Sequence, residues 1–238
     1  MRADRAGPAI KQGRPAPGSP RGLAAALEAP GKRELLARGL ALADLRPGAR
    51  VLDVGCGLGT SVDLLRQSLG LRAIGLDLAV PAGDGAPIPR LRADVRHLPI
   101  AEGVLDAVLL ECVLSVISER AEVLGECARA LAPTGKLVLC DLHAREGPDG
   151  VARAGPGPCG AELLPRNALL RLMASKGFEV LHWEDRSDVL KEYLFRLIME
   201  AGCRAPWPPD PGPGEAREAT SNRLRPGYCL MVAARRGA

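Results

Sequence analysis

Residues 51–59 read Val51-Leu52-Asp53-Val54-Gly55-Cys56-Gly57-Leu58-Gly59, an apolar run that breaks into three glycines spaced two apart. The run is short, as a buried strand requires. It leads into Val62, Leu64, Leu65 and Leu69, which read as a helix. Glycine has no Cβ, so the turn between the two can take φ > 0 and let a ligand approach the backbone. The helix that follows directs unpaired N–H groups at the same point. Strand, glycine turn and helix in that order make a nucleotide-type ligand the leading expectation.

The dinucleotide fingerprint G-x-G-x-x-G does not fit, because its third glycine, counted from Gly55, falls on Thr60. A nicotinamide dehydrogenase is therefore disfavoured. Two further markers follow. Asp77 ends the apolar run Ala73-Ile74-Gly75-Leu76, about 20 residues after the turn, where an acid at the tip of a second strand is expected. A carboxylate there can accept hydrogen bonds from ribose hydroxyls, each worth roughly 1.5–3 kcal/mol. The third marker is Asp94-Val95-Arg96-His97-Leu98-Pro99, with Asp106 opening the next apolar run and expected to cap the start of that strand.

In this order, Asp53-x-Gly55-x-Gly57-x-Gly59, Asp77 and Asp94 to Pro99 resemble the motifs of class I S-adenosylmethionine-dependent methyltransferases of the type 11 group. The resemblance implies S-adenosyl-L-methionine as cofactor. It implies a Rossmann-like α/β fold: a seven-stranded, mostly parallel sheet with helices on both faces and an antiparallel last strand. It places the cofactor on Asp53, Gly55, Cys56, Gly57, Gly59, Asp77, Leu78, Asp94, Val95 and Glu111. In that family Asp77 takes the ribose, Asp94 accepts from the adenine amino group, and the backbone N–H of Val95 reaches a ring nitrogen. One stretch departs from the pattern. Between Asp77 and Asp94 the family carries a short helix, whereas Pro81, Gly83, Gly85, Pro87 and Pro89 here predict a loop.

Strand-like runs occur at 50–54, 72–76, 105–110, 136–141, 178–183 and 228–234, and helical patterns at 32–43, 60–69, 119–131, 165–176 and 187–201. Their alternation predicts a mostly parallel sheet covered on both faces. Residues 1–22, rich in Arg, Pro and Gly, cannot bury enough apolar surface to order and are expected to form a disordered arm. Residues 23–238 are expected to be one domain, with a cofactor half at 32–145 and a substrate-shaping half at 146–238. The Gly/Pro-rich stretch 144–160 fits a lid or substrate loop, and the proline-rich stretch 204–215 carries Trp207.

With 47% apolar residues the chain can bury a sizeable core. No run approaches the 18 or more apolar residues of a membrane span, and no apolar signal region opens the chain. Seven scattered cysteines read as reduced thiols of a cytoplasmic protein rather than a disulfide framework. A net charge of +4 and 3% aromatics show neither a clustered basic face nor stacking platforms, so a small-molecule substrate is expected and no nucleic acid.

Methyl transfer from a sulfonium is an in-line displacement, for which alignment supplies much of the rate. A general base is needed only when the nucleophile holds a proton. The candidate catalytic residues are Glu111 at the end of the fourth strand, His143 beyond the fifth, and Cys159. Cys159-Gly160-Ala161 ahead of a helix ending at Gly177-Phe178 is similar to the arsenite methyltransferase branch, which keeps a thiol- or metalloid-directed reading open. Cys127, Cys140 and Cys229 are expected in the core. The alternative from another class is a degenerate family member that binds without turnover.

Overall fold

The computed structural model describes residues 29–80, 88–146, 155–156, 162–201 and 225–236. The expected N-terminal arm, residues 81–87 of the departing loop, Cys159 and the stretch around Trp207 lie outside them.

The first helix, α1 (Lys32–Leu42), is followed by β1 (Arg50–Val54), α2 (Thr60–Leu69) and β2 (Arg72–Asp77). Then come β3 (Arg90–Arg92), β4 (Leu105–Glu111), α3 (Arg120–Ala130) and β5 (Leu131–Arg145). A two-stranded ribbon, β6 (Gly155–Pro156) with β7 (Glu162–Leu163), precedes α4 (Arg166–Ser175), β8 (Phe178–Asp185), α5 (Ser187–Ala201) and β9 (Arg225–Arg235). Seven strands form one sheet in the order β3-β2-β1-β4-β5-β9-β8. The first five are parallel to one another, and β9 runs antiparallel to both β5 and β8. The seven-stranded sheet with an antiparallel last strand is thus observed.

Strand periodicity divides the core in two. Leu52, Val54, Leu76, Val108 and Leu110 face α3 and α4, where they pack with Val123, Leu124, Cys127, Leu169 and Met173. Val51, Ala73, Leu109, Val138 and Val232 face the opposite way, against Leu35, Leu36 and Leu40 of α1, Val62 and Leu65 of α2, and Val189 and Leu190 of α5. Both faces are therefore covered, which is why β1 and β4 read as unbroken apolar runs rather than alternating ones.

The helix bounds lie within one residue of the expected ones, but three features differ from expectation. The short edge strand β3 was not anticipated. Strand β5 begins directly after α3 and extends to Arg145, because β9 pairs with it as far as Arg145–Arg225. Its register against β4 shifts between Leu105 and Ala107, which absorbs Ala132-Pro133-Thr134-Gly135, between the expected helix 119–131 and strand 136–141, as an irregularity. The expected loop 144–160 also loses its first residues to β5, and Gly155–Pro156 belongs to the ribbon. Asp106 accepts from the backbone N–H and guanidinium of Arg50 (2.7–3.1 Å), tying the starts of β1 and β4 together at the end of the sheet remote from the glycine turn.

Candidate active site

The glycine turn is hooked onto the end of β2. Gly55 and Cys56 both donate their N–H groups to the carbonyl of Leu76, at 2.7 and 3.1 Å. Gly57 donates to Asp77 Oδ2 at 3.0 Å, and the N–H of Ala79 occupies the other oxygen at 2.8 Å. From the far side Arg90 Nη1 donates to the Gly57 carbonyl at 3.3 Å. The peptide at 57 is therefore gripped at both ends. Gly57 sits at φ 54° with nothing within 4 Å of where a Cβ would project, so the turn faces open space. At Gly55 the reason for glycine is contact: an added Cβ would come within 2.7 Å of a Val113 methyl. The apolar side chains of Leu58 and Leu78, 69% and 58% exposed, flank this opening.

Asp53, Asp77 and Glu111 share one face of the sheet. Each alternates with a residue that faces α3 and α4 (Leu52 and Val54, Leu76, Leu110), so all three point toward the α1 and α2 side. The hydroxyl of Ser61, in the first turn of α2, donates to Glu111 Oε2. Lys32, opening α1, places its Nζ 3.8 Å from the same oxygen. Asp53 is fully buried, and its Oδ2 has no hydrogen-bond partner among the described residues. Burial first, then the charge of Glu111, pushes its carboxyl up to about 8, against the opposing pull of Lys32.

That shift has a definite sign. An acid whose folded pKa lies above its unfolded one holds its proton in the native state while the unfolded chain gives it up. Stability is full below about pH 4, falls as pH rises, and levels off above about 8. Asp53→Asn removes the titration, so its urea midpoint should gain on the parent's between pH 5 and pH 8.5. Parallel pH profiles would contradict the assignment.

Asp94 follows β3, and both of its oxygens are held by Arg96, at 2.6–3.1 Å. The Arg96 guanidinium keeps this carboxyl below its usual range. Val95 beside it is buried in the core on the α3 side. The Cys56 thiol packs under the turn, close enough that a Cβ on Gly75 would meet its sulfur at 2.5 Å. Burial pushes it up to about 12, so Cys56 is no thiolate and can contribute to a ligand only through its backbone. Cys127, Cys140 and Cys229 are buried in the core as expected.

The structure does not bring Glu111 and His143 together. Glu111 pairs in register with Cys140, so these two share a face, and His143 three residues on lies on the other. There it is buried edge-on to Trp183, with ring centroids 5.4 Å apart, and burial lowers its pKa. Asp141, on the same side as His143, instead accepts from the backbone N–H groups of Leu114 and Ser115 at 2.7 and 3.3 Å, and so fixes the loop that leaves β4. Sequence reasoning missed Lys32, Ser61 and Arg90. Only Ser61, in the first turn after the glycine motif, carried a local signal.

Comparison with known proteins bears on this arrangement. Residues 52–139 match the methyltransferase domain family. An uncharacterized 37.1 kDa protein in transposon TN4556 of Streptomyces fradiae is 32% identical over 173 residues, which is 68% of this chain and 46% of that protein. A demethylmenaquinone methyltransferase of Mycolicibacterium vanbaalenii is 34% identical over 101 residues, 41% of this chain and 44% of the enzyme. The chain thus spans less than half the length of the curated relatives it matches. Among solved structures, the (4+2)-cyclase SpnF superposes with a TM-score of 0.67 at 22% identity, over 86% of this chain and 81% of its own. The geranyl diphosphate C-methyltransferase of Streptomyces coelicolor A3(2), in complex with Mg2+, geranyl diphosphate and S-adenosyl-L-homocysteine, superposes with a TM-score of 0.62 at 18% identity, over 86% and 80%. The glycine turn, the acid at the tip of β2 and the sheet order agree with the family match, and residues 52–139 carry a methyltransferase domain.

Proposed function

We propose that this chain binds S-adenosyl-L-methionine across the glycine turn and transfers its methyl group to a small-molecule acceptor. The observation that carries the reading is the joint between Gly57 and Asp77: a bare peptide facing open space, with a carboxylate fixed beside it at 3.0 Å. The buried, unpartnered Asp53 oxygen fits a cationic ligand on the same face. When bound, the cofactor supplies an electrophilic methyl group on sulfur, and the acceptor displaces it in line. Asp77 holds the ribose, Asp94 and Val95 the adenine edge, and Leu78 offers an apolar surface to the ring. Glu111, bonded by Ser61, serves the cofactor end rather than the acceptor. The acceptor side falls to the loop that Asp141 anchors.

A second reading has a specific support. A cyclase shares this fold, so the fold alone does not dictate methyl transfer. Calorimetry with S-adenosylmethionine, S-adenosylhomocysteine and NAD, followed by a screen of acceptors with methyl-labelled cofactor, separates the cases. We expect the first two ligands to bind, NAD not to bind, and label to appear in an acceptor. Binding without label in any acceptor favours the second reading, and binding of NAD alone overturns both. Quinols, prenyl diphosphates, arsenite and small thiols belong in the screen. Equal rates for the parent and Cys159→Ser on arsenite and thiols would end the thiol-directed reading.

A further inference from the structure

Two acids on different sides of the site share one cation. Asp94 stands beside the acid at the tip of β2, because the N–H of Ala93 bonds the Asp77 carbonyl at 3.3 Å. Arg96 claims the Asp94 carboxylate completely. Oδ1 accepts from the Arg96 backbone N–H at 2.9 Å and from Nε at 3.0 Å, and Oδ2 accepts from Nε at 3.1 Å and Nη2 at 2.6 Å. A carboxylate offers about four lone-pair sites, so a further donor must loosen one of these bonds. The remaining arm of the guanidinium, Nη1, donates to Glu119 Oε1 at 3.4 Å. That contact is about 0.5 Å longer than a charge-assisted hydrogen bond. The other Glu119 oxygen accepts from the Ser118 hydroxyl at 3.0 Å.

Glu119 ends the loop that leaves β4. The near end of that loop is fixed twice: Asp141 holds the N–H groups of Leu114 and Ser115, and Arg120 Nε bonds the Leu114 carbonyl at 2.7 Å. The far end rests on Glu119, whose carbonyl accepts from the N–H groups of Glu122 and Val123 to start α3. Its side chain is held by Ser118 and by the long contact to Arg96. The side chains of Asp94, Arg96 and Glu119 are 26%, 37% and 35% exposed, so the pairing can exchange instead of being locked in the core. A donor arriving at Asp94 frees part of the guanidinium, and Glu119 already stands in line to receive it.

We propose that Arg96 is a positioning residue: the cofactor's amino group partly displaces it from Asp94, and it then closes on Glu119, so that filling the cofactor side tightens the acceptor loop. This rests on the reading that the chain binds S-adenosylmethionine with Asp94 at the adenine edge, and the test separates the two. Calorimetry is run on the parent, Arg96→Ala and Glu119→Gln, with S-adenosylhomocysteine and with S-inosylhomocysteine, whose ring carries an oxygen in place of the amino group. Arg96→Ala removes the competitor and should tighten S-adenosylhomocysteine about threefold while leaving the inosyl ligand no tighter. Glu119→Gln leaves the guanidinium to Asp94 and should weaken S-adenosylhomocysteine about twofold. Opposite signs in two neighbouring variants are not what a damaged site gives, since damage would weaken both. Hydrogen exchange then reads the loop. S-adenosylhomocysteine should slow the amides of residues 116–120 about threefold or more in the parent and leave them unchanged in Arg96→Ala. Unchanged or weaker binding of S-adenosylhomocysteine by Arg96→Ala would overturn the competition. Equal slowing of the loop in the parent and Arg96→Ala would overturn the link to Glu119. A parent that binds neither ligand overturns the cofactor reading itself, and the role of Arg96 with it.

Discussion

Asp77→Ala is expected to weaken S-adenosylmethionine binding about a hundredfold while leaving thermal stability nearly unchanged. Two losses combine. The ribose loses an ionised acceptor, and each hydrogen bond to a charged group is worth roughly 1.5–3 kcal/mol. The turn also loses the carboxylate that fixes the Gly57 N–H at 3.0 Å and the Ala79 N–H at 2.8 Å. These two donors lie at a partly exposed strand end where water can replace the carboxylate, so the fold itself loses little. Asp77→Asn separates the contributions, because its amide oxygen can still accept one backbone N–H but carries no charge. It should bind more weakly than the parent and more tightly than the alanine variant. Calorimetry with S-adenosylhomocysteine reads all three proteins, and parent-like affinity in Asp77→Ala would remove this acid from the site.

Gly39→Val is expected to give the largest loss of stability. Gly39 lies in the interior of α1, where glycine costs roughly 0.5–1 kcal/mol relative to alanine, so its presence calls for a reason. The reason is the approach of the helix to the sheet. A Cβ at Gly39 would sit 2.5 Å from a Val138 methyl and 3.1 Å from Leu230 Cδ1. Val138 is β-branched and fixed in a central strand, so it cannot swing aside. Overpacking of this kind costs about 1–3 kcal/mol, and valine adds two methyl groups beyond the first clash. We expect a loss near the top of that range, lowering the melting temperature by about 5–10 °C. A parent-like melting temperature would show that the helix can ride up on the sheet without cost.

The half of the sheet that carries the glycine turn was largely legible in the sequence, because its signals are local. A buried strand reads as an apolar run, a tight turn as glycines at fixed spacing, and an acid at a strand tip as an interval along the chain. Gly55, Gly57 and Gly59 lie beside Asp77 because only one helix and one strand run between the turn and the acid. The elements that escaped depend on a partner. Arg90-Leu91-Arg92 has one apolar residue and becomes a strand only by pairing with Gly75–Asp77. The continuation of β5 to Arg145 is dictated by β9, about 80 residues further on.

Glu111 and His143 lie on opposite faces for a reason of the same kind. Glu111 and His143 both follow apolar strands, and either could face either way. The register Glu111–Cys140 decides the matter, and a one-residue slip would have reversed it.

From residue order alone came the sheet class, the nucleotide-type turn and the acid beside it, since short-range sterics and hydrophobic periodicity act within a single segment. Packing alone settled which charges meet. Lys32 in the first turn of a helix reads as a solvated residue, and it becomes a half-buried cation beside Glu111 only when α1 docks across β5 and β9. Asp53 reads as one letter of a motif, and it loses its water only when β2 and β4 close on either side of β1. Burial and long-range register belong to the assembled fold, and they convert ordinary side chains into a site.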